Sequence, residues 1–404
     1  MPRAPRSLVS GDVRRHNLTL VLDHLVTSGP SARSEIAAAT GLTRGAVTAL
    51  AAALSEAGVV READPTQTGR GRPITRLELA ADEVAVLVAQ VDADAATALL
   101  TNLAGEELHR VERRHGRPMG DPDAVLDVLA EVARDALAVA ADLGRRVVEA
   151  PVVVFAPVGG EPPVVLADTD LGWGVVDLLG GLRARVPDLP EVTSLASDGW
   201  LAARAERSLL DGVDDLVYLK SNSGIGGAII AGGRTIEGAH GVGASLGHLA
   251  LIPDGARCEC GQSGCLVTIA GPDALLERAG LAELVGERGL AGALDELSRR
   301  IDAGELAATA AWDAALPWIA RALQVMSLAT DPSAIVIGGF WAAHTASIER
   351  AFRANRPAVA QSFGRPASEV PTVTAGRLGA DAALLGAAWS ARDRLLADPA
   401  RLGV

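Results

Sequence analysis

Cysteine, lysine and aromatic side chains are scarce in this 404-residue chain. All three cysteines fall within the eight residues CECGQSGC, Cys258 to Cys265. An odd number crowded into one place does not make a disulfide framework. A soft metal ion is the other reason to gather thiols so closely. Aromatic residues are 3% of the chain while hydrophobic residues are 49%, so its cores must be built from Ala, Val, Leu and Ile. No window approaches the roughly 18 to 20 apolar residues of a membrane span. The N-terminal stretch MPRAPRSLVSGDVRRHN carries basic residues without the apolar segment of a signal peptide. The expectation is a cytoplasmic protein with no membrane partner. Lys220 is the only lysine, and this arginine bias reads as a coding preference rather than as mechanism.

The length allows two or three domains with full cores. Charge is divided unevenly. The chain carries −13 overall, yet residues 1–80 hold ten Arg against seven Asp and Glu, which leaves about −16 for the rest. A basic head on an acidic body implies that only the head meets a polyanion.

The head has the matching pattern. Leu18, Val21, Leu22, Leu25 and Val26 recur at helical spacing, and Ser28-Gly29-Pro30 ends that helix. Ser31 is placed to cap a short helix through Ala39, which Gly41 breaks. Thr43 is placed to cap another, running to about Ala57 and ending at Gly58. Two helices joined through TGLT form a helix-turn-helix, with Ile36, Leu42, Val47, Leu50 and Leu54 as its core. Thr43, Arg44, Thr48 and Ala49 are left on the outer face of the second helix, whose first turns enter the major groove in such motifs. Arg44 suits phosphate or guanine, and the threonines suit phosphate or base edges. Downstream, Arg70-Gly71-Arg72 and Pro73 precede an alternating strand, Ile74 to Leu79, which reads as a wing. Arginines flanking a glycine suit the narrow, negative minor groove of double-stranded DNA. A head this small is expected to work as half of a dimer on a two-fold operator.

From about residue 83 buried strands alternate with long Ala- and Leu-rich helices, as α/β folds with partly parallel sheets do. EVAVLVAQVDADAATALLTN reads as a hairpin, and VVEAPVVVF, DDLVYLKSN, GGAIIAGG and SAIVIGGFW read as further strands. No internal repeat is visible. HRVERRHGR reads as a solvated face. Trp173 and Trp200 suit either a sugar-stacking wall or the core, and His240 sits in a glycine-rich loop open to a ligand.

The order of helix-turn-helix head, DLGW at Asp170 to Trp173, SDG, SGIGG, GH at Gly247-His248, CECGQSGC and LGADAALLGAAW resembles the ROK family of repressors, open reading frames and sugar kinases. The resemblance covers nearly the whole chain. It implies an actin-like, two-lobed ATPase (ribonuclease H-like) body behind the winged helix-turn-helix. The expected division is a DNA-binding domain at 1–80 and a body at 81–404. Lobe 1 would take about 81–197 plus a C-terminal helix at about 380–404, and lobe 2 about 198–379. Members carrying a head are transcription regulators, and headless ones are sugar kinases.

The resemblance also assigns roles. Cys258, Cys260 and Cys265, with His248 as the fourth ligand, would hold a structural zinc, since four protein ligands leave no open position for water. Ser197, Asp198, Ser245 and His248 would face a small-molecule effector between the lobes. Against a working kinase, the expected phosphate loop of the Asp-x-Gly-Gly-Thr-Lys type is replaced by Asp92 to Thr97, DADAAT. The later loops read NSGIGG and Gly338-Gly339-Phe340. Asp198 stands where the family has its general base, but Ser197, Ser245 and Val267 stand where the family has Asn, Glu and Glu. Lost partners for sugar hydroxyls cost about 1 kcal/mol or more each, so unmodified glucose is not the expected ligand. The reading is a non-enzymatic repressor, homodimeric or homotetrameric, controlled by a sugar-like effector. The alternatives are a sugar kinase with an added head, and a constitutive DNA-binding protein whose body only oligomerises.

Overall fold

Two five-stranded sheets with the same strand order build the body of the chain. The computed structural model describes residues 10–63, 75–80, 83–117, 119–166, 171–191, 193–354 and 371–398. In the first sheet the order is Thr193–Ser197, Arg146–Val154, Val84–Val91, Ala95–Asn102, Glu107–Arg114. In the second it is Thr372–Ala375, Ala334–Gly339, Leu216–Ser221, Ile225–Ala231, Arg234–Thr235. Each begins with a three-stranded antiparallel meander, whose first strand then accepts a later strand in parallel. This is the two-lobed, ribonuclease H-like duplication that the resemblance implies. It escapes notice in the sequence because only the order of strands repeats, not the residues.

The central strands read as they fold. All eight residues of Val84–Val91 and all six of Leu216–Ser221 are buried, as befits strands covered on both faces. Helix Pro122–Asp142, capped by Asp121 accepting from the Asp123 amide, covers one face of the first sheet. Helix Ala382–Ala397 covers the other. Helix Leu306–Thr330 packs on the far face of the second sheet, and helix Asp198–Ser208 on its near face. Helices Asp198–Ser208 and Ala382–Ala397 thus meet between the sheets, where a Cβ on Gly386 would fall 2.2 Å from the Leu201 carbonyl oxygen.

HRVERRHGR belongs largely to the strand Glu107–Arg114, and its arginines are engaged rather than merely solvated. Arg110 holds Asp381 at 2.7 Å, Arg113 holds Asp135 at 2.6 Å and Arg117 holds Asp273 at 2.8 Å.

The head comprises helices Ser10–Ser28, Arg33–Thr40 and Arg44–Glu56 with a small antiparallel sheet of 31–32, 76–79 and 60–62. Ser31 does not cap the second helix. Ala32 does, its amide donating to Glu35 at 2.8 Å, while the Ser31 hydroxyl donates to the Gly29 carbonyl at 3.0 Å. Thr43 caps the third helix, its Oγ1 accepting from the Ala46 amide at 3.2 Å. The apolar side of the first helix is continuous with the body through Leu384, Ala391 and Leu395 of the terminal helix. Thr19 donates to the Leu396 carbonyl at 3.3 Å across the same contact.

Candidate functional site

Two regions hold the chemistry. The first is the outer face of the third head helix. The helices Arg33–Thr40 and Arg44–Glu56 are bent 115° at their connection, within the range of a helix-turn-helix. Ile36, Val47, Leu50 and Leu54 are buried, so the opposite face is fixed outward. Thr43, Arg44, Thr48 and Ala49 are exposed there. The Thr48 hydroxyl donates back to the Arg44 carbonyl at 2.9 Å. Neighbouring arginines are spoken for: Arg33 pairs with Glu62 at 3.0 Å, Arg61 with Glu78 at 2.7 Å and Arg76 with Glu35 at 3.3 Å. Arg44 pairs with no carboxylate among the described residues. Arg70, Gly71 and Arg72 lie outside the described residues, although the strands on either side, Val60–Glu62 and Arg76–Leu79, pair antiparallel.

The second region lies between the lobes. Ser197, Asp198, Ser245 and His248 all line one cavity of about 90 Å³, together with Trp200 and Lys220. It opens into a neighbouring cavity of about 570 Å³ through the shared Phe155, Ser223 and Gly224. Val267 lines that second space. Trp173 does not reach either; it is buried and donates to the Gly120 carbonyl at 3.0 Å. His240 is exposed and outside the cavity.

Lys220 corrects the sequence reading. It is buried, and its Nζ forms an ion pair with Asp198 Oδ2 in this cavity. The strand period places it: Lys220 points to the face of Leu216–Ser221 on which Asp198 begins its helix. A single lysine carries no periodic signal, so sequence reasoning missed it.

Asp92 sits beside the pair. It accepts from Gln90 Nε2 at 2.5 Å and lies 3.5 Å from Ser223 Oγ. Burial pushes its carboxyl up to about 6; Lys220 pulls it back down and the Asp198 charge adds to the rise. Asp94 Oδ2 accepts from the Leu290 amide at 2.9 Å and lies 3.6 Å from Arg114. Asp92 keeps the first residue of the expected phosphate loop, but Asp94 puts a carboxylate where that loop has a glycine and open backbone amides. At the second-lobe strand end, a Cβ on Gly339 would fall 2.0 Å from Asn222 Oδ1.

Below the cavity, His248, Cys258, Cys260 and Cys265 converge, with all their donor atoms within 4.8 Å of one another. Cys258 Sγ is 3.6 Å from His248 Nδ1, and Cys260 Sγ is 3.6 Å from Cys265 Sγ. The knuckle needs glycine: Gly264 has φ +78°, and a Cβ there would fall 2.0 Å from the Ile252 carbonyl oxygen. Burial pushes the Cys258 thiol up and the Cys265 thiol up to about 12. Burial opposes ionisation at Cys260 too, but the Gln262 amide and the neighbouring thiols outweigh it and bring that thiol down to about 7. Four soft donors at these spacings can hold one metal ion, which would keep the buried thiols as thiolates.

Comparison with known proteins agrees with this architecture. The ROK family model matches residues 90–394. A kanosamine kinase from Amycolatopsis mediterranei is 30% identical over 217 residues, 54% of this chain and 69% of the kinase. A ROK family transcriptional regulator, described as a homologue of the E. coli MLC protein, superposes with a TM-score of 0.73 at 23% identity, over 97% of this chain and 98% of that one. A ROK glucokinase from Streptomyces griseus, in complex with glucose and AMPPNP, superposes with a TM-score of 0.62 at 24% identity, over 76% of this chain and 98% of its own. The wider coverage in the regulator comparison is reached only with the head included.

Proposed function

The chain belongs to the ROK family, and from that premise we propose that it is a DNA-binding transcription regulator, a repressor, whose kinase-like body senses a small molecule rather than phosphorylating it. The carrying observation is the head: two helices at 115° that present Thr43, Arg44 and Thr48 outward, with Arg44 unpaired among the described residues. In this reading residues 1–80 form the DNA-binding domain and residues 81–404 the two-lobed body. Arg44 and the threonines meet the major groove of double-stranded DNA, and Arg70, Gly71 and Arg72 meet the minor groove. Two copies are needed for a two-fold operator, as a homodimer or homotetramer in the cytoplasm.

Two observations weigh against catalysis. The carboxylate in the position of the family base, Asp198, is engaged by Lys220. The turn at Asp92 to Ala95 keeps the pattern's first aspartate but puts the Asp94 carboxylate and a methyl where it has glycines, so triphosphate would meet a like charge there. The effector would enter between Ser197, Asp198, Ser245 and His248. With serines in place of Asn and Glu, and the charge of Asp198 already compensated, a ligand other than unmodified glucose fits the lining better.

Zinc suits the four-residue cluster. With Zn–S of about 2.3 Å and Zn–N of about 2.0 to 2.1 Å, a tetrahedron has edges of roughly 3.5 to 3.8 Å. The two 3.6 Å separations fall in that range. Zinc here would brace the loop that carries Ser245 and His248 and take no part in chemistry. Arg117 and Asp273, joined by bonds of 2.8 and 3.0 Å, clasp the two lobes across the cleft. That clasp is a contact the effector can tighten or release, and a coupling of about 1 to 3 kcal/mol is ordinary for such a switch.

Selection of binding sites from random double-stranded DNA tests the reading. A two-fold symmetric site should be enriched, and Arg44→Ala should lose most of that specificity. Absence of any enriched sequence, or ATP-dependent phosphorylation of a sugar at enzymatic rates, would overturn it.

A further inference from the structure

A second cavity, of about 660 Å³, lies away from the interlobe pocket and shares no lining residue with it. It is walled by the C-terminal half of helix Asp198–Ser208, the turn and loop after strand Ile225–Ala231, and helix Ala382–Ala397. Its size falls within the roughly 300 to 1,000 Å³ of small-molecule sites.

Its charge is out of keeping with its surroundings. Four guanidinium groups line it, from Arg204, Arg207, Arg234 and Arg392, in a body whose net charge is strongly negative. Two are committed. Arg207 holds Asp214 at 3.3 Å, and Arg392 holds its neighbour Asp393 at 3.1 Å. Arg204 and Arg234 are exposed and pair with no carboxylate among the described residues. Glu237 also lines the space, so the lining keeps a positive excess. The wall formed by helix Ala382–Ala397 includes Trp389, half-buried, with Ser390 beside it in sequence.

We infer that this cavity is a binding site for an organic phosphate of about the size of a phosphorylated hexose. Guanidinium groups from two separate elements, Arg204 on a helix and Arg234 on a hairpin, suit a tetrahedral dianion better than a single planar carboxylate. Trp389 in the lining supplies apolar surface against which a sugar ring can pack. Arg392 and Asp393, which line the cavity, stand on the helix that also carries the first head helix. The site is independent of the regulator reading: it stands on the lining alone.

Calorimetry on the full chain tests it with glucose 6-phosphate, inorganic phosphate and glucose as separate titrants. Glucose 6-phosphate should bind once per chain, more tightly than inorganic phosphate, and both should weaken with added salt. Arg204→Ala/Arg234→Ala should weaken glucose 6-phosphate at least about tenfold, as loss of charge-assisted bonds does. Its melting temperature should stay unchanged, because both arginines are exposed and pair with no carboxylate among the described residues. Quenching of tryptophan fluorescence by glucose 6-phosphate should vanish in Trp389→Phe. Failure of both phosphates to bind, or binding that the double variant leaves intact, would overturn the assignment.

Discussion

Lys220 and Asp198 form an ion pair inside the interlobe pocket, and both side chains are almost completely buried. The pair changes what Asp198 can do. One oxygen of the carboxylate that would have to take a substrate proton is already occupied by the ammonium group. It also fixes the start of helix Asp198–Ser208 against the strand Leu216–Ser221, at the junction where the lobes meet. Lys220→Met should leave Asp198 buried without compensation and destabilise the protein by about 3 to 5 kcal/mol. Lys220→Met/Asp198→Leu should recover most of that loss, because well-packed apolar residues replace buried ion pairs at little cost. Urea denaturation of the two variants checks this. Equal stability of the single and double variants would show that the pair is not a coupled unit.

Asp92 makes stability depend on pH in a defined direction. Its folded carboxyl, held near 6 by burial, lies above that of an unfolded aspartate. As pH rises from about 4 to about 6 the unfolded chain ionises first, so the folded state loses relative stability through that window. Above it the loss is constant. Asp92→Asn removes the titration while keeping an acceptor for Gln90. The variant should match the parent near pH 4 and exceed it at pH 7.5, by about 1 to 3 kcal/mol. Denaturation curves at both pH values decide it, and a difference independent of pH would exclude Asp92 as the source.

In the proposed DNA-binding role, the salt dependence of binding reports on Arg70 and Arg72. Arg70 and Arg72 flank Gly71 between two paired strands of the head. If both meet phosphate or the minor groove, Arg70→Ala/Arg72→Ala should lower affinity and reduce the slope of log affinity against log salt by about 2. Because those arginines lie outside the helix Arg44–Glu56 that would read the major groove, the sequence preference there should hold. Fluorescence anisotropy across a salt series gives the slope, and an unchanged slope would move the wing's contacts elsewhere.

What was legible in the chain follows from what carries local signal. The helix-turn-helix was readable because caps, breakers and a 3.6-residue apolar period act within a few residues, and Thr43 caps as its position implies. Ser31 misled because a serine before a helix looks like a cap, whereas Glu35 reaches back to the Ala32 amide instead. The buried strands announced themselves by Val and Ile. The twofold repetition of sheet order did not, since topology is set by which strands pair over long separations. Lys220 was misjudged for the same reason: its partner Asp198 is 22 residues away and meets it only across two elements. His344 gives no local signal of its burial either: it packs against Trp312 and Phe340, with its ring nitrogen 3.0 Å from Ser298 Oγ.

The cluster of His248, Cys258, Cys260 and Cys265, proposed as a zinc site, joins the pocket to the loop below it, and removal of the metal should show in a particular order. Cys258 and Cys265 are buried and their thiols are pushed up, so without a metal they stay protonated and pack as weakly polar groups. Deprotonated ligands are required to hold zinc, which makes binding weaker as pH falls. The chain as purified should therefore carry one zinc per protomer, released by a strong chelator more readily at pH 5.5 than at pH 7.5. Cys260→Ser should abolish that zinc while leaving both sheets folded, because the knuckle lies outside them and Cys260 is the more accessible ligand. The loss should appear as a lower melting temperature and as greater protease sensitivity between Ser245 and Cys265, with DNA binding by the head retained. Native mass spectrometry with limited proteolysis makes the measurement. A full zinc complement in the Cys260→Ser variant would mean that the four residues do not form the site, and global unfolding would mean that the metal supports the lobes rather than the loop.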